Sequence, residues 1–403
     1  MTVRKLRLGV AGLGRAFTLM LPTLASDPRI ALVAAADPRA DALGRFVADF
    51  GGHTHRSIEA LCADEAVEAI YLATPHELHA EHAILAARHA KHLIVEKPMA
   101  ITLDQCSAMI EAADRAGTAL VIGPSHSFDA PIRRTRALIE DGGFGSLRML
   151  NAQYYTDFLY RPRRPEELDT SLGGGAVFSQ GAHQVDIVRY LAGGIGRSVR
   201  ALTGAWDRAR PTEGAYAALV TFEHGVFASL VYSGYAHFDG DEWCEGIGEM
   251  GQSKDRSAYG AARRNLRTAR DPREEEALKQ ARNYGGARYP RPAAAPVAGG
   301  TASTWHAHFG LVIASCERAD LRPLPRGVVI YGDDEIRMEV LAPPVIPRVE
   351  VIDELYTAIV KAQAPLHDGR WGRATVEMCL AILESARTGR EVVLEHQVPV
   401  GRA

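Results

Sequence analysis

The residues best placed to do chemistry are Glu96-Lys97-Pro98, which close the apolar run His92-Leu93-Ile94-Val95. Pro98 blocks a helical turn across that junction, so Lys97 stands where a strand stops and a helix has yet to start. In open α/β sheets, ligands gather outside the carboxyl ends of the strands. A lysine delivered there beside the Glu96 carboxylate is suited to proton or hydride chemistry.

A second constellation runs from Gly173-Gly174-Gly175 through Ser179, Gln180 and His183 to Asp186. A triple glycine opening a helix would let backbone approach a ligand closely. Spacings of three and four would put Ser179, His183 and Asp186 on one stripe. His183 is the candidate catalytic base, with Asp186 to orient it. His76, His79 and His82 invite a metal reading, but their spacing lacks the His-Glu-x-x-His arrangement of helical zinc ligands. They read as structural, and no metal is expected.

These groups need elements to position them. The first third alternates strands (6–11, 30–36, 69–73, 92–95, 120–123) with helices (15–25, 41–50, 79–89, 103–116), the pattern of a doubly wound parallel α/β sheet. Pro22 is expected to shorten or bend the first helix. From about Ser125 the rhythm changes. A helix at 132–140 is followed by strand-like segments at 147–156, 198–206, 216–222 and 226–235, interrupted by a helix at 176–191. Helices at 349–361 and 371–387 and a short strand at 391–394 end the chain. The expected division is residues 1–124 as a Rossmann-type domain and 125–403 as an α+β domain with an open-faced, largely antiparallel sheet. An insertion lies near 240–300. Between Lys254 and Arg291 it carries eleven Lys/Arg against five Asp/Glu. It reads as a solvated helical insertion or as a cationic flap near an anionic substrate.

Gly12-Leu-Gly14-Arg15-Ala16-Phe17 joins the first strand to the first helix. Gly12 permits the tight turn, and Gly14 lets the backbone and the helix amides face a pyrophosphate. Phe17 occupies the place of the usual third glycine, and Ala16 supplies the small residue. Asp37 ends the second strand, where a carboxylate accepts from both ribose hydroxyls and repels a 2′-phosphate. The expectation is NAD; Arg39, able to pair with that phosphate, keeps NADP as the alternative. Thr74 and Pro75 would edge the nicotinamide, and His79, Glu96 and Lys97 complete the expected cofactor set.

Composition narrows the class. Lys+Arg 46 against Asp+Glu 49 leaves a net charge of −3, without the basic excess that nucleic acid requires. Five dispersed cysteines, a first strand beginning by Leu6 and no long apolar run lead to the expectation of a cytoplasmic protein without a membrane partner.

Taken together, the glycine loop, Thr-Pro-x-x-x-His, Glu-Lys-Pro, and Gly-Gly-Gly-Ala through His-x-x-Asp resemble the Gfo/Idh/MocA family of nicotinamide-dependent oxidoreductases. The resemblance implies a Rossmann domain joined to an open-faced sheet, homodimers or homotetramers built through that sheet, tightly held NAD(P), and catalysis by Lys97 and His183. One departure stands out: many members carry Asp four residues before the histidine, where this chain has Ser179. The second half is similar to phthalate cis-dihydrodiol dehydrogenases at 179–186, 234–238, 247–251, 315–322 and 331–334.

The reaction expected is oxidation of a ring secondary alcohol, best a cis-dihydrodiol of an aromatic carboxylate. Hydride passes to the nicotinamide while Lys97 stabilises the alkoxide and His183 takes the proton. Arg161, Arg163 and Arg164 are candidates for the ring carboxylate, and His126, Tyr155, Ser179 and Gln180 for other substrate contacts. A polyol or sugar dehydrogenase is the main alternative, followed by an NAD-dependent glycosidase without net redox and a non-enzymatic redox sensor.

Overall fold

A computed structural model describes residues 4–289 and 305–401. The end of the insertion expected near 240–300 falls in 290–304, which lies outside the described residues. The chain opens with β1 (Leu6–Ala11), α1 (Arg15–Ser26), β2 (Ile30–Ala36), α2 (Ala40–Phe50), β3 (His53–His55), α3 (Ile58–Ala63), β4 (Ala69–Leu72), α4 (His79–Arg88), β5 (His92–Val95), α5 (Leu103–Ala116) and β6 (Leu120–Ile122). It continues through α6 (Ala130–Asp141), β7 (Leu147–Tyr155), α7 (Ala182–Ala192), β8 (Gly196–Gly204), β9 (Ala215–Phe222), β10 (Phe227–Ser233), α8 (Ala261–Leu266) and α9 (Pro272–Gln280). The remainder is β11 (Leu311–Cys316), β12 (Ala319–Leu324), β13 (Gly327–Gly332), β14 (Ile336–Val340), α10 (Val349–Lys361), α11 (Gly369–Thr388) and β15 (Val392–Val393).

Two compact units form. Among the described residues, the first gathers 4–124, 271–289 and 346–373; the second gathers 125–270, 305–345 and 374–401. In the first, six parallel strands run in the order β3-β2-β1-β4-β5-β6. β4 and β5 are apolar and buried almost throughout, as strands covered by helices on both faces must be. The order reverses between β1 and β4, so the crevice outside their carboxyl ends is where a dinucleotide belongs. Pro22 does not shorten α1, which runs on to Ser26. β3 escaped the sequence reading because His-Thr-His carries no apolar signal.

The second unit holds a nine-stranded sheet in the order β14-β13-β12-β11-β7-β10-β9-β8-β15. Only β7 and β10 pair in parallel; the other neighbours are antiparallel. Strands β11 to β14 were not read from the sequence, and they lengthen the expected sheet at one end. The helix expected at 176–191 opens with a π-helical turn over Val177–Gly181 before α7 takes over. It packs on one face of the sheet, where Tyr216 Oη donates to Gln184 Oε1 (2.6 Å). The opposite face carries Leu202, Leu219 and Phe227, 65%, 57% and 45% exposed, which the strand register places on one side.

Candidate active site

In the first unit, the loops after β1, β4 and β5 supply the candidate cofactor residues. Gly12 has φ +91°, and a Cβ there would lie 2.6 Å from the Ala73 carbonyl oxygen, so only glycine lets the loop pass the end of β4. Gly14 is the N-cap of α1, whose amides no side chain caps and whose first turn holds no acid. A Cβ on Gly14 would meet nothing within 4 Å, so the loop faces open space where an anion would accept from helix amides. Arg15 is exposed, Ala16 half-buried, and Phe17 buried. Phe17 fills the third-glycine place by meeting Tyr284 edge-on at 5.1 Å.

Asp37 is buried at the end of β2, and the Leu13 amide donates to its Oδ2 (2.8 Å). Arg39 donates from its amide and Nε to Asp37 Oδ1 (2.9 and 3.0 Å) and from Nη2 to the Leu13 carbonyl (2.8 Å). The acid therefore braces the glycine loop as well as standing at the ribose position, and Arg39 is tied to that acid. These residues fit a dinucleotide with an unphosphorylated ribose.

Thr74 and Pro75 follow β4, and Thr74 Oγ1 lies 3.1 Å from His82 Nδ1. His79, expected beside the cofactor, is instead fully buried. Its nitrogens face the Thr74 and Pro98 carbonyls, each at 2.9 Å. Burial holds its pKa down at about 4, and the ring braces the β4 loop against the Glu-Lys-Pro corner. Glu96 is also turned inward. It accepts a short hydrogen bond from Tyr71, and burial raises its pKa. Lys97 is half-buried at the end of β5, followed by a cis peptide bond to Pro98.

In the second unit, His183 is 5% exposed on the first turn of α7, with Ser125 Oγ 3.3 Å from its Nδ1. His126 is fully buried 4.7 Å away, ring centroid to centroid and edge-on, and Phe309 packs on both rings at 5.1 and 4.8 Å. Asp129 Oδ2 lies 2.7 Å from His126 Nδ1, and Glu249 Oε1 lies 3.5 Å from its Nε2. Burial alone would lower the His126 pKa, but the two carboxylates outweigh it and raise it. Glu249 thus supplies a carboxylate beside the histidines although position 179 does not. It went unsingled in the sequence, appearing only inside the Ile247–Gly251 stretch.

Several expected partners have other work. Asp186 accepts from the Ser127 hydroxyl and lies 3.3 Å from Thr375 Oγ1, tying α7 to the turn that carries His126. Ser179 is half-buried in the π turn, and Gln180 Oε1 accepts from Tyr232 (3.3 Å). The triple glycine has an internal reason: a Cβ on Gly175, at φ +83°, would collide with the Glu213 carboxylate. That carboxylate accepts from the Val177 amide (3.1 Å), so the close approach is to an acid of this chain.

Strand alternation sends Tyr155 to the face opposite Tyr154, where it meets Trp243 edge-on at 5.6 Å. Tyr154 is the ring on the histidine side, 4.9 Å from Phe309. Tyr154 also lines a cavity of about 340 Å³ with Arg161, Phe238, Lys254, Asp241 and Arg263. Arg161 pairs there with Asp157 (3.1 Å). Arg163 lies over the Phe158 ring at 3.6 Å and donates to the Phe158 carbonyl; burial brings its pKa down to about 10. Arg164 folds onto Glu167. Of the three loop arginines, Arg161 lines the cavity and the other two staple their own loop. The basic insertion contributes Lys254, paired with Asp241 (2.8 Å), and Arg263, bonded to the Tyr235 and Ala236 carbonyls.

A parallel-sheet dinucleotide unit with a basic strand-end corner, and a sheet unit bearing a histidine helix, define a nicotinamide oxidoreductase. Residues 6–123 match the oxidoreductase family model with NAD-binding Rossmann fold, and 132–253 match the GFO/IDH/MocA C-terminal domain. The chain belongs to the Gfo/Idh/MocA family and is an NAD-dependent oxidoreductase. It is 44% identical over 95% of both chains to 1-carboxy-3-chloro-3,4-dihydroxycyclohexa-1,5-diene dehydrogenase of Comamonas testosteroni. It is 30% identical to levoglucosan dehydrogenase of Pseudarthrobacter phenanthrenivorans, over 45% of this chain and 47% of that one. A crystal structure from Bordetella bronchiseptica RB50, assigned as a dehydrogenase, superposes with TM-score 0.88 at 41% identity, covering 96% of this chain and 100% of that one. Among the described residues no helix is long and apolar enough to cross a membrane.

Proposed function

We propose that the chain oxidises a cis-dihydrodiol of an aromatic carboxylate with NAD+. The observation that carries this reading is the full-length likeness, at 44% identity, to a dehydrogenase whose name specifies a carboxylated dihydroxycyclohexadiene. The levoglucosan enzyme, by contrast, matches over less than half of its length.

NAD+, when bound, accepts the hydride. The carbinol C–H bond breaks, its electron pair leaves as hydride, and the hydroxyl proton goes to a protein base. In the resulting hydroxydienone the remaining carbinol carbon gives up its proton and the ketone oxygen takes one up, which makes a catechol, so dihydrodiol and NAD+ give catechol, NADH and one proton. Lys97 holds the oxygen and stabilises the alkoxide that develops on it. His183 accepts the proton, with Ser125 at its other face. Gly12, Gly14 and Asp37 hold the dinucleotide. In the cavity beside Tyr154, Arg161 receives the ring carboxylate. The reading also includes a cytoplasmic homodimer or homotetramer, supported by the apolar face of Leu202, Leu219 and Phe227 on the sheet.

Presenting NAD+ with carboxylated cis-dihydrodiols, polyols and aldoses, while following NADH and catechol, tests the substrate. NADH from polyols or aldoses alone overturns the diol reading. Turnover of a glycoside with no accumulating NADH would point to hydride return during glycoside cleavage.

A further inference from the structure

We propose that His126, His183 and Glu249 form a binding site for one borderline divalent cation, zinc in the first instance. The inference goes beyond the dehydrogenase reading and does not depend on it. The candidate ligand atoms of these three residues all lie within 4.8 Å of one another. Around a tetrahedral zinc with bonds of about 2.0–2.1 Å, neighbouring ligands stand roughly 3.4 Å apart. The cluster therefore needs to draw in by about an ångström or so. Glu249, with a side chain 24% exposed, is the member with room to move.

The orientation of His126 carries the argument further. Its Nδ1 faces the Asp129 carboxylate at 2.7 Å, which makes Nδ1 an N–H nitrogen and turns Nε2 the other way. That Nε2 is buried and makes no hydrogen bond, although Glu249 Oε1 is 3.5 Å distant. What stands between that nitrogen and the carboxylate is best positive, a proton or a cation. A proton on Nε2 would serve two atoms. Here a third donor, the His183 imidazole, belongs to the same 4.8 Å group, and three donors so grouped suit a metal ion. The carboxylate–histidine pair is the outer support that metal-binding imidazoles usually have. Phe309 lies against both imidazoles and excludes water from one side.

Two imidazoles and one carboxylate favour zinc, cobalt, iron(II) or manganese over magnesium and calcium, which prefer oxygen throughout. Three protein ligands leave a position for water or a substrate oxygen, the pattern of reactive rather than structural zinc sites. Coordination and proton acceptance compete for one imidazole of His183, so turnover is not the readout.

The test uses the full chain, stripped with chelator and checked for folding by circular dichroism. Zn2+ is titrated calorimetrically, and Co2+ by its visible d–d absorption. The expected result is one equivalent bound, weakened at least ~100-fold in Glu249→Gln and His126→Ala and by ~10–100-fold in Asp129→Asn. Glu249→Gln, at a partly exposed position, keeps the test open if His126→Ala does not fold. The proposal is overturned if the stripped protein binds no more tightly than Glu249→Gln, or if all three variants bind as the wild type does. Failure of dihydrodiol oxidation in a protein that still binds Zn2+ counts against the substrate alone. A folded, stripped protein that takes up neither Zn2+ nor Co2+ counts against this site alone.

Discussion

Lys97 and His183 bear different loads, and substitution separates them. Lys97→Met and His183→Ala should each slow hydride transfer by about 10²–10⁴-fold while leaving NAD binding intact, measured by single-turnover absorbance and by dinucleotide titration. Near-wild-type turnover in both would move the chemistry elsewhere. Asp37→Ala removes a charged acceptor worth about 1.5–3 kcal/mol, so the preference for NAD over NADP should shrink by ~10–100-fold in competitive binding. A wild type that already prefers NADP refutes that assignment. Arg161→Ala should raise KM for carboxylated diols well above its effect on kcat; an unchanged KM removes Arg161 from the substrate. At this scale the sequence was readable where one residue type has one use, as at Gly12 and Asp37. It was opaque where partners are remote. Glu249 reaches His126 across 123 positions, and nothing local distinguishes its carboxylate from a solvated one. His79 and Asp186 show the converse: motif positions whose polar atoms hold elements together.

The segment from Gly173 to Ala192 shows what an element adds. Gly175 sits in the left-handed region against Glu213, a buried acid whose pKa burial raises. Gly175→Ala should lose about 1–3 kcal/mol from the backbone alone, and more from the collision. In a Glu213→Ala background the loss should be smaller, and denaturant melts of the double-mutant cycle measure the difference. Additivity in that cycle would mean the two do not meet. Helical periodicity revealed the helix but not its π turn, because an extra residue in one turn leaves the apolar pattern on either side unchanged. β12 was hidden for another reason. Ala-Asp-Leu-Arg-Pro-Leu alternates correctly, yet its proline and two charges weigh against a strand until neighbours on both sides are seen to pair with it.

For the whole molecule, the apolar side of the nine-stranded sheet sets the expected assembly. Leu219→Lys should shift the mass in solution toward a monomer while preserving the circular dichroism spectrum, as sedimentation would show. No change in mass would free that face from any interface. Apart from β3 and α3, the Rossmann series was legible from strand and helix rhythm. The crossings between units were not, because residues 271–289 and 346–373 belong to the first unit by contacts that no local pattern announces. One such return has a wider consequence. Tyr284 is fully buried, its carbonyl accepts from Arg39 (3.3 Å), and its hydroxyl donates to Asp49 (2.6 Å). The nucleotide half is therefore finished by codons lying far downstream, in the middle of the gene for its neighbour. Recombination that grafted residues 1–124 onto a foreign catalytic half would leave Phe17 and Arg39 unclasped, so these two halves are bound to be inherited together.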